Sequence, residues 1–147
     1  MAIIRTLVIG FGNTLRTDDG AGIWTAERLS ALLIPGVVVE CTHQLSLDLL
    51  EDFASYDRIV FIDAAIDGKD VVLEPVGKPD VEVPPSAHHL TPADLLKTYS
   101  DLYGRQLDAY FCTIRGEEFE FGMELSRGTA MRAESALSLI VEFFSRK

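Results

Sequence analysis

Asp18 and Asp19 stand side by side just after a Gly-x-Gly turn, in the run Leu7-Val8-Ile9-Gly10-Phe11-Gly12-Asn13-Thr14-Leu15-Arg16-Thr17-Asp18-Asp19-Gly20-Ala21-Gly22. An apolar strand entering such a turn, with a helix to follow, has the layout of a phosphate-binding site, because free N–H groups at a helix start favour an anion. Here two carboxylates already supply the negative charge. A second anion is repelled and a metal cation is attracted. The dinucleotide fingerprint also wants a third glycine where Leu15 stands, so that motif is weak.

Three other places carry chemistry. Asp63 continues the apolar run Ile59-Val60-Phe61-Ile62. A carboxylate in that position is costly unless it is paired or binds a cation. The alternative is a cap or turn residue. His88, with His89 beside it, lies in the loop ahead of a helix, where a lone histidine is commonly solvated. Asp18 can equally cap the helix that follows, with Asp19 favouring its positive end. Taken together, Asp19, Asp63 and His88 make an oxygen, oxygen and nitrogen set. Such a set suits a first-row divalent ion such as nickel or zinc, with positions left open for water or substrate.

The elements that must carry these residues alternate. Strands are expected at Thr6 to Gly10, Val37 to Cys41, Arg58 to Ala64, Val71 to Val76 and Asp108 to Arg115. Helices are expected from Gly20 to Leu33, over a short Leu47 to Ala54, after Thr91-Pro92-Ala93-Asp94, and from about Gly128 to Phe144. In the third of these Thr91 is the N-cap, Pro92 is the first helical residue and an acid follows at the capping-box position. The implied fold class is α/β, a three-layer α/β/α arrangement of a mostly parallel five-stranded sheet with helices on both faces. The fourth strand follows the third too closely for a helical crossover, so it is expected to be an antiparallel neighbour at an edge. A Pro-bearing stretch from Val76 to Pro85 reads as a loop, and the 147 residues read as one domain, 1–147.

In such a sheet the site lies beyond the carboxyl ends of the strands. Asn13, Asp18 and Asp19 fall there after the first strand, Cys41-Thr42-His43-Gln44 after the second, and Asp63 after the third. The segment Gly116-Glu117-Glu118-Phe119-Glu120-Phe121-Gly122 follows the fifth. Its alternation favours a hairpin with Phe inside and Glu outside, or aromatic side chains that grip a partner.

Composition narrows the partners. A net charge of −10 disfavours nucleic acid and anionic membrane, both of which bind through Lys and Arg. No run is apolar enough to cross a bilayer, and a cytoplasmic location is expected. Cys41 and Cys112 form no Cys-x-x-Cys pair and are expected to be buried free thiols. There is no Gly-x-Ser-x-Gly elbow and no His-Glu-x-x-His helix.

Three motifs, in matching order and separation, resemble the [NiFe]-hydrogenase maturation endopeptidases. They are the Gly10 to Gly22 run, Phe61-Ile62-Asp63-Ala64, and Ser86-Ala87-His88 ahead of Asp94-Leu95-Leu96. The resemblance covers nearly the whole chain. It implies a sheet flanked by helices, and an endopeptidase that removes the C-terminal extension of a hydrogenase large-subunit precursor once nickel has been inserted. By the same resemblance Asp19, Asp63 and His88 are the metal-contacting and catalytic residues. The nickel then arrives with the precursor, and other divalent metals could occupy the site. The segment after the second strand departs from the Asp-Gly-Gly-Thr-like form of many members. His43-Gln44-Leu45 and the 116–125 stretch resemble instead the branch that serves bidirectional, NAD-coupled hydrogenases. A single edge carrying all the chemistry points to a monomer. Two rival readings remain at this stage, a Rossmann-like nucleotide-binding module and a non-catalytic chaperone for nickel or the large subunit.

Overall fold

The computed structural model describes residues 3–77 and 90–146. Its five strands are β1 (Thr6–Phe11), β2 (Val37–Thr42), β3 (Arg58–Ala65), β4 (Val71–Pro75) and β5 (Asp108–Arg115). The helices are α1 (Ala21–Ala31), α2 (Leu50–Phe53), α3 (Pro92–Tyr103) and α4 (Arg127–Arg146), with 3-10 turns at Thr17–Gly20 and Leu47–Leu49. The sheet order is β2-β1-β3-β5-β4. All pairings are parallel except that of β4 with β5. The α/β class, the five strands and the antiparallel edge strand therefore stand as expected.

The apolar runs of β1 and β3 are central because their side chains alternate between two covered faces. Leu7, Ile9, Ile59 and Phe61 pack with Leu50, Phe53, Leu95 and Tyr99, so α2 and α3 cover one face. Val8, Val60 and Ile62 pack with Ala26, Leu29, Ala133 and Ile140, so α1 and α4 cover the other. Continuous hydrophobic strands of this kind belong to parallel sheets buried on both sides. The start of α3 follows its sequence. Thr91 Oγ1 accepts from the Asp94 N–H at 3.1 Å, while the Asp94 carboxylate accepts from the Thr91 N–H at 2.9 Å.

The neighbour of β4 is β5, not the sequence-adjacent β3. After β3 the chain turns through 66–70, and β5 later lies parallel to β3 inside that turn. The Gly116 N–H donates to the Ala65 carbonyl, and the Arg115 N–H donates to the Asp70 carbonyl. The Arg115 guanidinium also reaches the Asp70 carboxylate at 2.7 Å. The turn thus closes over the end of β5. Parallel β3–β5 pairing leaves β4 only the outer edge.

Helix α1 lies unusually close to the sheet. A Cβ on Gly22 would strike the Ile62 carbonyl of β3, and one on Gly10 would come within 2.5 Å of Ala26 Cβ. These two glycines face each other across the contact between helix and sheet. Gly22→Ala is expected to destabilise the chain by about 2–3 kcal/mol, since backbone stands where the methyl must go. Urea unfolding checks this; an unchanged midpoint would mean that α1 slides without cost.

Candidate active site

The order of the sheet reverses at β1. The chain leaves β1 to form β2 on one side, then returns to form β3 on the other. A crevice must open beyond the carboxyl ends of β1 and β3, and ligands bind at such switch points. In this crevice is a cleft of about 300 Å³, walled in part by Gly12, Asp19, His43, Gln44, Asp63 and Leu90.

Each carboxylate is held by its own stretch of chain. Asp19 sits in the 3-10 turn, and its Oδ2 accepts from the Asn13 N–H at 2.7 Å. Asn13 Oδ1 in turn accepts from the Leu15 N–H at 2.9 Å, which shapes the loop between. Asp63 lies within β3, where it pairs with Thr113 of β5. The pairing of β1 with β3 ends at Gly10 and Ile62, so on its β1 side Asp63 opens into the crevice. Gly12 is the floor between the two acids. Its φ of +142° lies outside the range that side chains readily adopt, and a Cβ there would hit the Asp19 carbonyl with Asp63 Oδ1 3.5 Å away.

Burial pushes the Asp63 carboxyl up to about 8, with its Ala64 N–H bond pulling down and the Asp19 charge pushing up. The Asp19 charge thus adds to burial in opposing ionisation of Asp63, and a cation beside them would relieve that opposition. That observation fits a divalent ion in the cleft. Among the described residues no group of three or more His, Cys, Asp and Glu side chains is gathered that could hold a metal ion. His88 and His89 lie outside the described residues.

The adjacent Asp18 does something different. It is fully buried, and neither the 3-10 turn nor α1 receives a side-chain cap. Instead its carboxylate accepts the N–H groups of Glu117, Glu118 and Ser126 at 2.8, 2.9 and 2.7 Å. It also accepts the hydroxyls of Ser126 and Thr129 at 2.8 and 2.7 Å. Burial alone would raise its pKa, but these donors outweigh it and hold the group down at about 2. Asp18 thereby clamps the 117–126 loop and the start of α4 to the site loop. Sequence reading left it open between a helix cap and one of a cation-attracting pair, because its partners lie 99–111 residues away. The available signal was the pair of hydroxyls, Ser126 and Thr129, at the start of a helix.

The 117–126 loop forms no hairpin. Gly122 makes an isolated parallel bridge with Arg16. The Thr17 N–H donates to the Gly122 carbonyl at 2.8 Å, and Thr17 Oγ1 donates to the Glu120 carbonyl at 2.7 Å. These bonds hold Thr17 at φ +48°, a strained conformation for a β-branched residue. The ring of Phe119 lies over Gly116, while Phe121 is 83% exposed. Arg16, which the sequence reading passed over, lines the cleft and donates from Nε to the Phe119 carbonyl. The two thiols also part company. Cys112 is buried and raised to about 12, whereas Cys41 is exposed, contrary to expectation.

The Gly-x-Gly turn is not left open for a phosphate. Gly12 is filled by the Asp19 backbone and Gly10 by Ala26 and the Gly22 carbonyl of α1, so the glycines serve packing of the chain on itself. What remains is a doubly wound α/β protein whose switch point carries two carboxylates rather than a nucleotide loop.

No protein-family model matches the chain. The Hydrogenase 2 maturation protease of Escherichia coli (strain K12) is 33% identical over an alignment of 101 positions that covers 63% of this chain and 62% of that protein. The match thus spans less than two thirds of the curated relative. The structure is similar to the [NiFe] hydrogenase maturation protease HycI from Thermococcus kodakarensis KOD1, with a TM-score of 0.76, 25% identity, and 97% and 93% of the two chains covered. It is likewise similar to HybD from Thermococcus kodakarensis, with a TM-score of 0.73, 25% identity, and 95% and 99% covered. The Escherichia coli hydrogenase maturating endopeptidase HybD, 24% identical with a TM-score of 0.76 over 97% and 93%, shares the fold. In sequence and in fold, the chain resembles the hydrogenase maturation proteases, as its three motifs implied.

Proposed function

We propose that this chain is an endopeptidase that removes the C-terminal extension of a [NiFe]-hydrogenase large-subunit precursor after nickel insertion. The observation that carries the reading is the convergence of Asp19 and Asp63 on one cleft at the β1–β3 switch point. The names of the relatives support the same activity. Nickel is part of the substrate in this reading, presented by the precursor's own cysteines. Asp19, Asp63 and His88 contact it. Leu90, the first described residue after the stretch that holds His88, lines the cleft, which supports including the histidine.

Asp63 is largely neutral in the free chain at pH 7, so an arriving cation displaces its proton and turns it into a ligand. The two carboxylates then hold the scissile peptide in place and orient a water against its carbonyl. As the water oxygen bonds to the carbonyl carbon, one carboxylate takes the water proton and returns it to the departing amine. Among the described residues no helix is long and apolar enough to cross a membrane. The substrate is proposed to be met in the cytoplasm, by a monomer whose chemistry lies on one edge of the sheet. The resemblance of His43-Gln44-Leu45, which lines the cleft, and of the 116–125 stretch to the branch serving bidirectional, NAD-coupled hydrogenases favours a cognate enzyme of that kind.

The test is mass spectrometry of a large-subunit precursor, nickel-loaded and nickel-free, after incubation with the chain. Loss of one discrete C-terminal peptide from the loaded form alone is the expected result. Binding of both forms without any loss would make the chain a chaperone rather than a peptidase.

A further inference from the structure

A second cleft, of about 420 Å³, lies on the other side of the site loop, between α1 and the loop that enters α4. Its apolar wall is Ile23, Trp24, Met123 and Leu125, and its two ionisable lining residues, Glu27 and Glu124, are both acids. Both acids are exposed, and among the described residues neither takes part in a salt bridge. Arg28, the nearest cation along α1, is spent on the face of Trp24, with its guanidinium 3.5 Å from the ring centre. Apolar surface continues onto the rim. Phe121 is 83% and Met123 76% exposed, and the Gly122–Leu15 hydrogen bond brings that segment beside Leu15.

The geometry points to this groove as a docking site for a segment of the substrate polypeptide in which a Lys or Arg adjoins an aliphatic or aromatic residue. The inference rests on the peptidase reading and extends it from the scissile bond to the body of the precursor. The apolar side chain fills the groove against Trp24 and Met123, and the cation meets Glu27 and Glu124. Charge selects this occupant over the others. A second copy of a chain with net charge −10 is repelled by the same acids, and so is a nucleic acid. The site loop joins the two clefts. Thr14 and Thr17 line the groove, while Asn13 and Arg16 line the Asp19–Asp63 cleft. A polypeptide seated in the groove is thus held one loop's width from the two carboxylates. The Asp18 clamp keeps the groove's second wall in place.

Two measurements with the precursor that the unaltered chain cleaves decide the matter. The double variant Glu27→Lys, Glu124→Lys changes only exposed side chains. It is expected to raise KM about tenfold, with kcat within about twofold and an unchanged unfolding midpoint. An unchanged KM would overturn the groove assignment while leaving the peptidase reading intact. In the second measurement Met123→benzoylphenylalanine is photoactivated in the presence of the same precursor, and the linked peptide is sequenced. A precursor peptide carrying Lys or Arg is expected. A link to another copy of the chain, or to an acidic precursor segment, would overturn the proposal. Failure of the peptidase reading itself shows separately, as absence of cleavage by the unaltered chain.

Discussion

Asp63→Asn is expected to make the metal-free chain more stable at neutral and alkaline pH and to abolish precursor cleavage. The stability arises from burial. The folded chain holds the Asp63 carboxyl at about 8, against 3.8 when it is exposed. Below the exposed value the group is neutral folded and unfolded, and it imposes no penalty. As the pH rises past that value the unfolded chain ionises Asp63 while the folded chain does not. Stability therefore falls steadily until the folded carboxyl also ionises near pH 8. Each pH unit of that window carries up to about 1.4 kcal/mol, and partial exposure and relaxation leave about 2–4 kcal/mol in all. Asn has no proton to lose, and its carbonyl can keep the 2.8 Å bond from the Ala64 N–H. Thermal melts in chelator at pH 4 and pH 8 check the prediction. The variant should match the parent at the acid end and melt about 5–10 °C higher at the alkaline end. A constant difference across the range would refute buried neutrality of Asp63. The charge that strains the fold is the one a cation would relieve, a familiar opposition between stability and function.

The neighbouring acids are expected to fail in opposite ways. Asp18→Ala leaves three backbone N–H groups and two hydroxyls without their shared acceptor at a fully buried position. Unsatisfied buried donors of this kind cost roughly 3–5 kcal/mol together, or about 10 °C of melting temperature. Asp19→Ala loses one bond, from the Asn13 N–H, at a partly exposed site. It should fold with a near-parental melting temperature and cleave no precursor, and His88→Ala should do the same. Retained processing by Asp19→Ala would remove Asp19 from the site. An unaltered melting temperature for Asp18→Ala would show that the loop is held by the Thr17 and Gly122 bonds alone.

What could be read from the sequence follows the range of the interactions involved. β1 and β3 show as apolar runs because both faces of a central strand are covered by helices, and α3 shows because Thr91, Pro92 and Asp94 satisfy its end locally. Asp19 and Asp63 could be assigned to one edge because the carboxyl ends of parallel strands share a side of the sheet. The partner of β4 could not be read, since β5, which lies between β3 and β4 in the sheet, comes only after α3 in the chain. The role of Asp18 was hidden for the same reason. A buried carboxylate and a capping carboxylate look alike until the donors that surround it, a hundred residues on, are in place. The Glu118 to Phe121 alternation misled because bonds from the Arg16 and Thr17 side chains and the Asp18 N–H to its carbonyls, not a partner strand, set that segment's path.

The Asp18 clamp also fixes when the site loop can take its final shape. Its carboxylate sits early in the chain and its last donor, Thr129, sits in α4, more than a hundred residues on. A ribosome releases β1, the site loop and even Asp63 well before the residues that lock them together. During synthesis the chain therefore carries its acids without the wall that shapes them until the start of α4 has emerged. On the proposed peptidase reading, hydrolytic competence is withheld until that helix has begun to form, and partly made chains nearby are spared.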